Sequence, residues 1–353
     1  MPDQKPPDQV GTSQDRIGIG ILAVETGVLA FVMQDLVMKL LGADLSVWQL
    51  QVIRSSIGLV PFMIGAYLFV GKSAFVIHNW KLHLFRGSVG FTGYSAFYIA
   101  LVHMPAAQAG TLFYTGPIMI TVLSALLLKE KLGVYRIGAV LTGFTGILVM
   151  LRPGTLEFSV ASLLPLYCAF AYAVCMIVVR KYRHTETSIG LAIYINVSYL
   201  IYASIGTLIV LWLFPDPSVD GLFYPVLRPW GVIDYSNWPM FLCLGIAGFS
   251  GHLAMTIAYK SAPASIIAPF DYTYVALIVI GGFVFFDEIP DLYSFIGIAM
   301  IVGSGLFIGY RESVRARREN RRKLTANRVA LPSTLPHTKR PNVERAPSEQ
   351  LPD

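Results

Sequence analysis

Residues 98–117 read YIALVHMPAAQAGTLFYTGP, and residues 256–275 read TIAYKSAPASIIAPFDYTYV. Laid over each other at a shift of 158 residues, the two segments register without gaps. Ile99 and Ala100 meet Ile257 and Ala258, Pro105 and Ala106 meet Pro263 and Ala264, and Tyr114 and Thr115 meet Tyr272 and Thr273. Further on, Glu130 meets Glu288. Each segment then enters a glycine-bearing apolar run, with Gly138, Gly143 and Gly146 in the first and Gly297, Gly303 and Gly305 in the second. Self-similarity that keeps Pro, Tyr-Thr and Glu in register marks a duplicated unit.

Composition says which solvent the units fold in. Apolar residues make up 55% of the 353, charged residues only 14%, and the mean hydropathy is +0.60. A soluble domain carries nearer a quarter charged residues. The apolar runs are Ile17–Leu41, Trp48–Val70, Leu84–Val102, Ala106–Leu128, Ile137–Leu151, Val160–Val179, Ser188–Phe214, Met240–Tyr259, Ala264–Phe286 and Leu292–Tyr310. Most approach the ~20 residues that cross ~30 Å of hydrocarbon. They do not alternate, which argues against a membrane β-barrel. The first run is too long for the core of a signal peptide, roughly 7–15 residues. The expected fold is therefore an all-α membrane protein of ten transmembrane helices.

Lysine and arginine in the connecting loops set orientation. With the N-terminus inside, the inner loops carry Lys72, Lys81, Arg86, Lys129, Lys131, Arg136, Arg180, Lys181, Arg183 and Lys260, whereas the outer loops carry Arg152 and Arg228. Eleven of the 27 Lys and Arg residues lie from Arg311 onward, and an even helix count places them inside as well. The net charge of +6 thus reflects a basic tail beside the membrane, not a nucleic-acid surface. Glu130 sits among cations and Glu288 beside Asp287 and Asp291, so the equivalent loops fall on opposite faces. Five helices per unit is odd, and the second unit is expected upside down. Inverted repeats of this kind build secondary transporters that rock about a midplane site.

These residues carry a family resemblance. They are Asp35-Leu-Val-Met-Lys39, Arg54, Pro105-Ala-Ala, Tyr114-Thr-Gly-Pro117, Glu130 and Arg152-Pro-Gly154 in the first unit. In the second they are Ala262-Pro-Ala-Ser265, Pro269-Phe-Asp-Tyr272, Glu288-Ile-Pro290 and Gly297. The chain resembles the drug/metabolite transporter superfamily, in its ten-helix branch with two EamA-type repeats, from about Ile17 to Arg311. Within it the sequence is most similar to the branch of bacterial riboflavin importers and S-adenosylmethionine carriers. The resemblance implies a multi-pass carrier of the bacterial inner membrane with both termini cytoplasmic. Its partners would be a small-molecule substrate, riboflavin first, and the lipid bilayer, with homodimer formation left open. The organisation expected is a disordered N-terminus (1–16), a first repeat (17–152), a second repeat (160–310) and a disordered basic cytoplasmic tail (311–353).

Charges inside apolar runs are the candidate site residues, because polar groups within a span seldom face lipid. Asp35 and Lys39 stand one helical turn apart on one face, either lining a cavity or pairing structurally near the outer interface. Glu25, deeper in the same run or nearer its inner end according to where the span begins, is a further coupling or cavity-lining candidate. Arg54 offers a planar fork for a carboxylate or phosphate, or reaches for headgroups. Asp271 follows Pro269, which frees helix carbonyls as in the interrupted helices of carriers. Tyr114 and Tyr272, at matched positions, would stack a flat ring between the repeats, with Arg54 and Asp271 as polar contacts.

Other chemistries lack their residues. Cys168, Cys175 and Cys243 all fall in apolar runs and form no metal-binding or disulfide pattern. No phosphate-binding Gly-x-x-x-x-Gly-Lys-Ser/Thr motif occurs, and no cofactor is implied. Gly248-Phe-Ser-Gly251 before His252 matches a short string of intramembrane serine proteases, but small residues packing a helix explain it better. The sequence is not expected to be an enzyme.

Overall fold

The computed structural model describes residues 13–128, 134–154, 159–181, 187–214, 221–261, 267 and 270–330. All regular elements among them are helices. In chain order these are α1 Ser13–Gly42, α2 Val47–Val70, α3 Trp80–His103, α4 Ala106–Phe113, α5 Gly116–Leu128 and α6 Val134–Leu151. After them come α7 Leu163–Lys181, α8 Ser188–Leu213, the single turn α9 Tyr224–Leu227, α10 Trp238–Ser261, α11 Thr273–Phe286 and α12 Leu292–Ala330. In hydrocarbon each backbone N–H and C=O must be satisfied within its own segment, which is why the apolar runs fold as helices. Side chains close some of the ends: Asn79 Oδ1 accepts from Leu82 N at 3.2 Å and Thr187 Oγ1 from Gly190 N at 3.0 Å.

Among the described residues six helices are long and apolar enough to cross a membrane: Ile17–Gly42, Val47–Phe75, Val160–Val178, Ile189–Leu213, Tyr235–Ala258 and Leu292–Arg311. The ten apolar runs do not all become such helices, for identifiable reasons. The fourth run is broken at Tyr114 and Thr115, because Pro117 has no N–H to give the Phe113 carbonyl. Ile137–Leu151 and Thr273–Phe286 are apolar but short. Lys81, His83 and Arg86 make α3 less apolar than its neighbours. The Pro269 interruption and Glu130 lie outside the described residues, as do residues 1–12 and those beyond Ala330.

Contacts divide the chain into Met1–Glu312 and Ser313–Asp353. In the first unit, α1 packs along α10 and against α11, α2 against α8 and α10, α3 against α7 and α8, and α4 against α11. First-half helices therefore pack mainly on second-half helices. Glycines permit the closest approaches. A Cβ on Gly146 would lie 3.2 Å from the Gly297 carbonyl, and one on Gly297 3.0 Å from the Gly146 carbonyl, so α6 and α12 touch backbone to backbone. Leu22, Phe69, Trp212 and Val284 point outward and exposed, as lipid-facing residues would. The helix α12 has bounds that pass Arg311, where composition predicts the end of order; Arg, Glu, Lys and Ala are good helix formers.

Candidate functional site

The Arg54 side chain, in α2, is 1% exposed. Its Nη1 donates to Gln34 Oε1 of α1 at 2.9 Å. Gln34 Nε2 donates to Asp35 Oδ1 at 3.1 Å and to the Tyr98 hydroxyl at 3.0 Å. The other Asp35 oxygen accepts from the Tyr274 hydroxyl at 2.7 Å. Tyr274 stacks on Tyr114, with centroids 4.7 Å apart and planes 21° apart. Tyr114 in turn donates its hydroxyl to Asp271 at 3.3 Å. One buried chain of contacts thus runs from Arg54 through Gln34, Asp35, Tyr274 and Tyr114 to Asp271, crossing from the first half of the sequence to the second.

Local sequence explains how these groups converge. Tyr114 is the residue at which α4 ends, and Tyr272 the one before α11 begins. The matched tyrosines of the repeat therefore stand at two helix interruptions, the places where carriers build sites. Gly248 leaves room for the polar pair: a Cβ there would meet Gln34 Oε1 at 2.6 Å and Arg54 Nη1 at 3.1 Å. Gly251 faces the Phe31 ring in the same way. The Gly-x-Ser-Gly string is packing for this site, in keeping with the small-residue reading.

The tyrosine geometry departs from a simple slot. Gripping a flat ring between two others needs about 7 Å between planes, twice a carbon contact. The Tyr114 and Tyr272 centroids are 5.7 Å apart and tilted by 58°. The Tyr272 hydroxyl is turned toward Gly305 of α12 and has no hydrogen-bond partner among the described residues. Tyr94, Tyr98, Phe113, Tyr172, Tyr199 and His252 extend the aromatic cluster, with Tyr94 touching Tyr98, Phe113, Tyr199 and His252. At its far side Arg86 is only 8% exposed and donates Nη1 to the Leu191 carbonyl at 2.9 Å. Sequence reading counted Arg86 among the loop cations. It lies inside α3, where Lys81 also falls, and Lys129, Lys131 and Arg183 lie outside the described residues.

Asp35 and Lys39 do not pair with each other as their spacing suggests. Asp35 turns to Gln34 and Tyr274, while Lys39 Nζ pairs with Glu288 Oε1 at 2.8 Å. Lys39 also donates to the carbonyls of Leu101 at 3.1 Å and Met104 at 2.6 Å. The second oxygen of Glu288 accepts from Ala106 N, at the first turn of α4, at 2.8 Å. Arg152 pairs with Asp291 and lies 4.2 Å from the Tyr293 ring centroid. First-half residues Lys39, Ala106 and Arg152 are thereby tied to second-half Glu288 and Asp291, around a cavity of about 260 Å³ that Gln108 also lines. Glu25 lies apart from both clusters and accepts from Thr273 Oγ1 at 3.1 Å.

Sequence reasoning missed Gln34, Tyr199 and His252 as site residues. Gln34 had the same signal as Asp35, a polar residue in an apolar run. His252 had it too, inside the run Met240–Tyr259, whereas Tyr199 had none, since its contacts come from packing. Among the described residues no group of three or more His, Cys, Asp or Glu could hold a metal ion.

Comparison with known proteins matches this architecture. The model of the EamA-like transporter family fits residues 18–152 and again 159–310. A riboflavin transporter of Vibrio cholerae is 30% identical over 240 residues, 67% of this chain and 74% of that one. An S-adenosylmethionine uptake transporter of Rickettsia prowazekii is 25% identical over 281 residues, covering 79% and 88%. A protein of known crystal structure superposes with a TM-score of 0.57 at 20% identity, over 84% of this chain and 97% of that one, a likeness of fold alone. Buried charges on broken apolar helices and a twice-matching family model lead to one conclusion: the chain belongs to the EamA-like transporter family of the drug/metabolite transporter superfamily.

Proposed function

We propose that the chain is a secondary transporter of a small organic metabolite, with riboflavin as the leading substrate and S-adenosylmethionine as the second. The observation that carries this reading is the buried chain from Arg54 to Asp271, which crosses between the halves from Asp35 to Tyr274 and from Tyr114 to Asp271. A buried charge is costly unless it meets a partner, water or cargo. The names of the relatives from Vibrio cholerae and Rickettsia prowazekii support the two substrates. Family membership speaks for transport rather than catalysis.

In this reading the protein lies in the bacterial inner membrane. Ten spans form two inverted five-helix units, 17–152 and 160–310, with both termini cytoplasmic and the basic segment 311–353 along the inner lipid surface. Arg54 and Asp271 are the polar contacts of the cargo, and Tyr114 and Tyr272 its aromatic ones. Because those two rings now stand side by side, the cargo enters only after they separate. Asp35 joins the two halves at the midplane. The Lys39–Glu288 and Arg152–Asp291 pairs hold the outer end shut, and Glu25 with Thr273 ties the halves on the other side of the network. Gradients supply the energy. The test is growth: expression in riboflavin and S-adenosylmethionine auxotrophs should lower the external concentration needed for rescue in at least one. Rescue of neither, with protein present in the membrane, sinks both substrates.

A further inference from the structure

Arg54 has one edge in use and one edge open. Nη1, the nitrogen on the Cδ side, donates to Gln34. Nε and Nη2 share the opposite edge, and among the described residues both are buried without a hydrogen-bond partner. That edge presents two parallel N–H groups at the spacing a carboxylate or phosphate accepts in bidentate fashion. Protein interiors rarely leave such donors unmade, and least of all charged ones.

The surroundings add open polar groups of the same kind. Tyr199 lies with its ring centroid 5.4 Å from Arg54 Cζ, and its hydroxyl is buried without a partner. His252 stands 6.5 Å from Tyr199 between centroids, with Nε2 buried and unpartnered. It is within electrostatic reach of both Arg54 and Arg86. Arg86 Nε is buried and open too. Beside Arg54, among the described residues, stands the carboxylate of Asp35, whose two oxygens are engaged by Gln34 and Tyr274. Asp271 sits across the aromatic cluster against Tyr114. Among the described residues, Arg54 thus has beside it one carboxylate that is committed elsewhere, and its open edge is left for an oxygen from outside the protein.

We propose that Arg54, supported by Arg86, His252 and Tyr199, binds an oxyanion of the cargo, so that the site selects molecules bearing a carboxylate or phosphate. This rests on the carrier reading above for its purpose and reverses the order of its two substrates: S-adenosylmethionine carries a carboxylate, whereas riboflavin carries no such group and its 5′-phosphate does.

The experiment uses matched pairs. Purified full-length protein in lipid nanodiscs is titrated by calorimetry with S-adenosylmethionine and its methyl ester, and with riboflavin and riboflavin 5′-phosphate. The oxyanion-bearing member of at least one pair should bind about tenfold or more tightly than its partner. Arg54→Gln should remove that preference, and Arg54→Lys, which keeps the charge but loses the two-donor edge, should restore only part of it. Should Arg54→Gln fail to fold, Arg86→Gln and Tyr199→Phe serve, each expected to reduce the preference. Equal affinity within both pairs, binding by neither oxyanion-bearing member, or a preference unchanged by the folded variants overturns the proposal. Uptake of the same compounds into proteoliposomes is scored separately. Oxyanion-selective binding without uptake would sink the carrier reading while leaving this site standing.

Discussion

Replacing Glu288 by glutamine should loosen one end of the protein. The side chains of Lys39 and Glu288 are 12% and 18% exposed, so their pair is neither a surface bridge nor a dry one. Exposed pairs contribute about 0–1 kcal/mol and breaking buried ones costs about 3–5. A loss of about 2 kcal/mol fits this intermediate burial. Glutamine retains an acceptor for Ala106 N, and Lys39 retains two carbonyls, so the change falls on the tie between halves and not on either half. If that tie holds the end closed, its loss raises the open population about 30-fold. The assay places a cysteine at Gln108, which lines the cavity behind the pair, with Cys168, Cys175 and Cys243 replaced by alanine. A membrane-impermeant maleimide should then label Glu288→Gln cells many times faster than cells with Glu288 intact. Adding Lys39→Gln should add little, because the two residues form one interaction. Labelling at the unaltered rate in Glu288→Gln would refute the latch.

Three further outcomes are expected. Tyr114→Phe should keep most transport, because the stack on Tyr274 survives while the 3.3 Å contact to Asp271 is lost. Tyr114→Ala should weaken apparent substrate affinity about tenfold in uptake assays. Gly58→Val should lower the thermal stability of the purified protein by about 1–3 kcal/mol, since even a Cβ would lie 2.5 Å from the Gly245 carbonyl; an unchanged unfolding midpoint would mean that α2 and α10 pack otherwise. Reporter fusions after Lys131 and Ser313 should read as cytoplasmic, and fusions near Asp220 and Asp291 as external. Lys131 and Asp291 reporting the same side would remove the inverted-repeat topology.

The sequence made some of this legible and hid the rest for physical reasons. Apolar runs announce helices because hydrocarbon forces the backbone to satisfy itself locally. Asp35, Arg54 and Asp271 stand out because a charge in such a run has to be explained. Their partners do not stand out. Lys39 looks bound to Asp35 by spacing, yet α1 lies against α11, so Tyr274 and Glu288 outbid the near neighbour. Arg86 sits nearly two turns inside α3 and is buried, because α3 packs against α7 and α8 there. The number of full-length spans was obscured by Pro117, which leaves the composition apolar while breaking the helix.

The central claim is that the buried network from Arg54 to Asp271 is a substrate path. Its most direct test is uptake of labelled S-adenosylmethionine and labelled riboflavin into proteoliposomes containing the wild-type protein, Arg54→Gln or Asp271→Asn, at equal reconstituted amounts. The account predicts uptake of at least one compound by the wild type and its loss, to the level of protein-free liposomes, in both variants. Wild-type uptake that persists in both variants would contradict it.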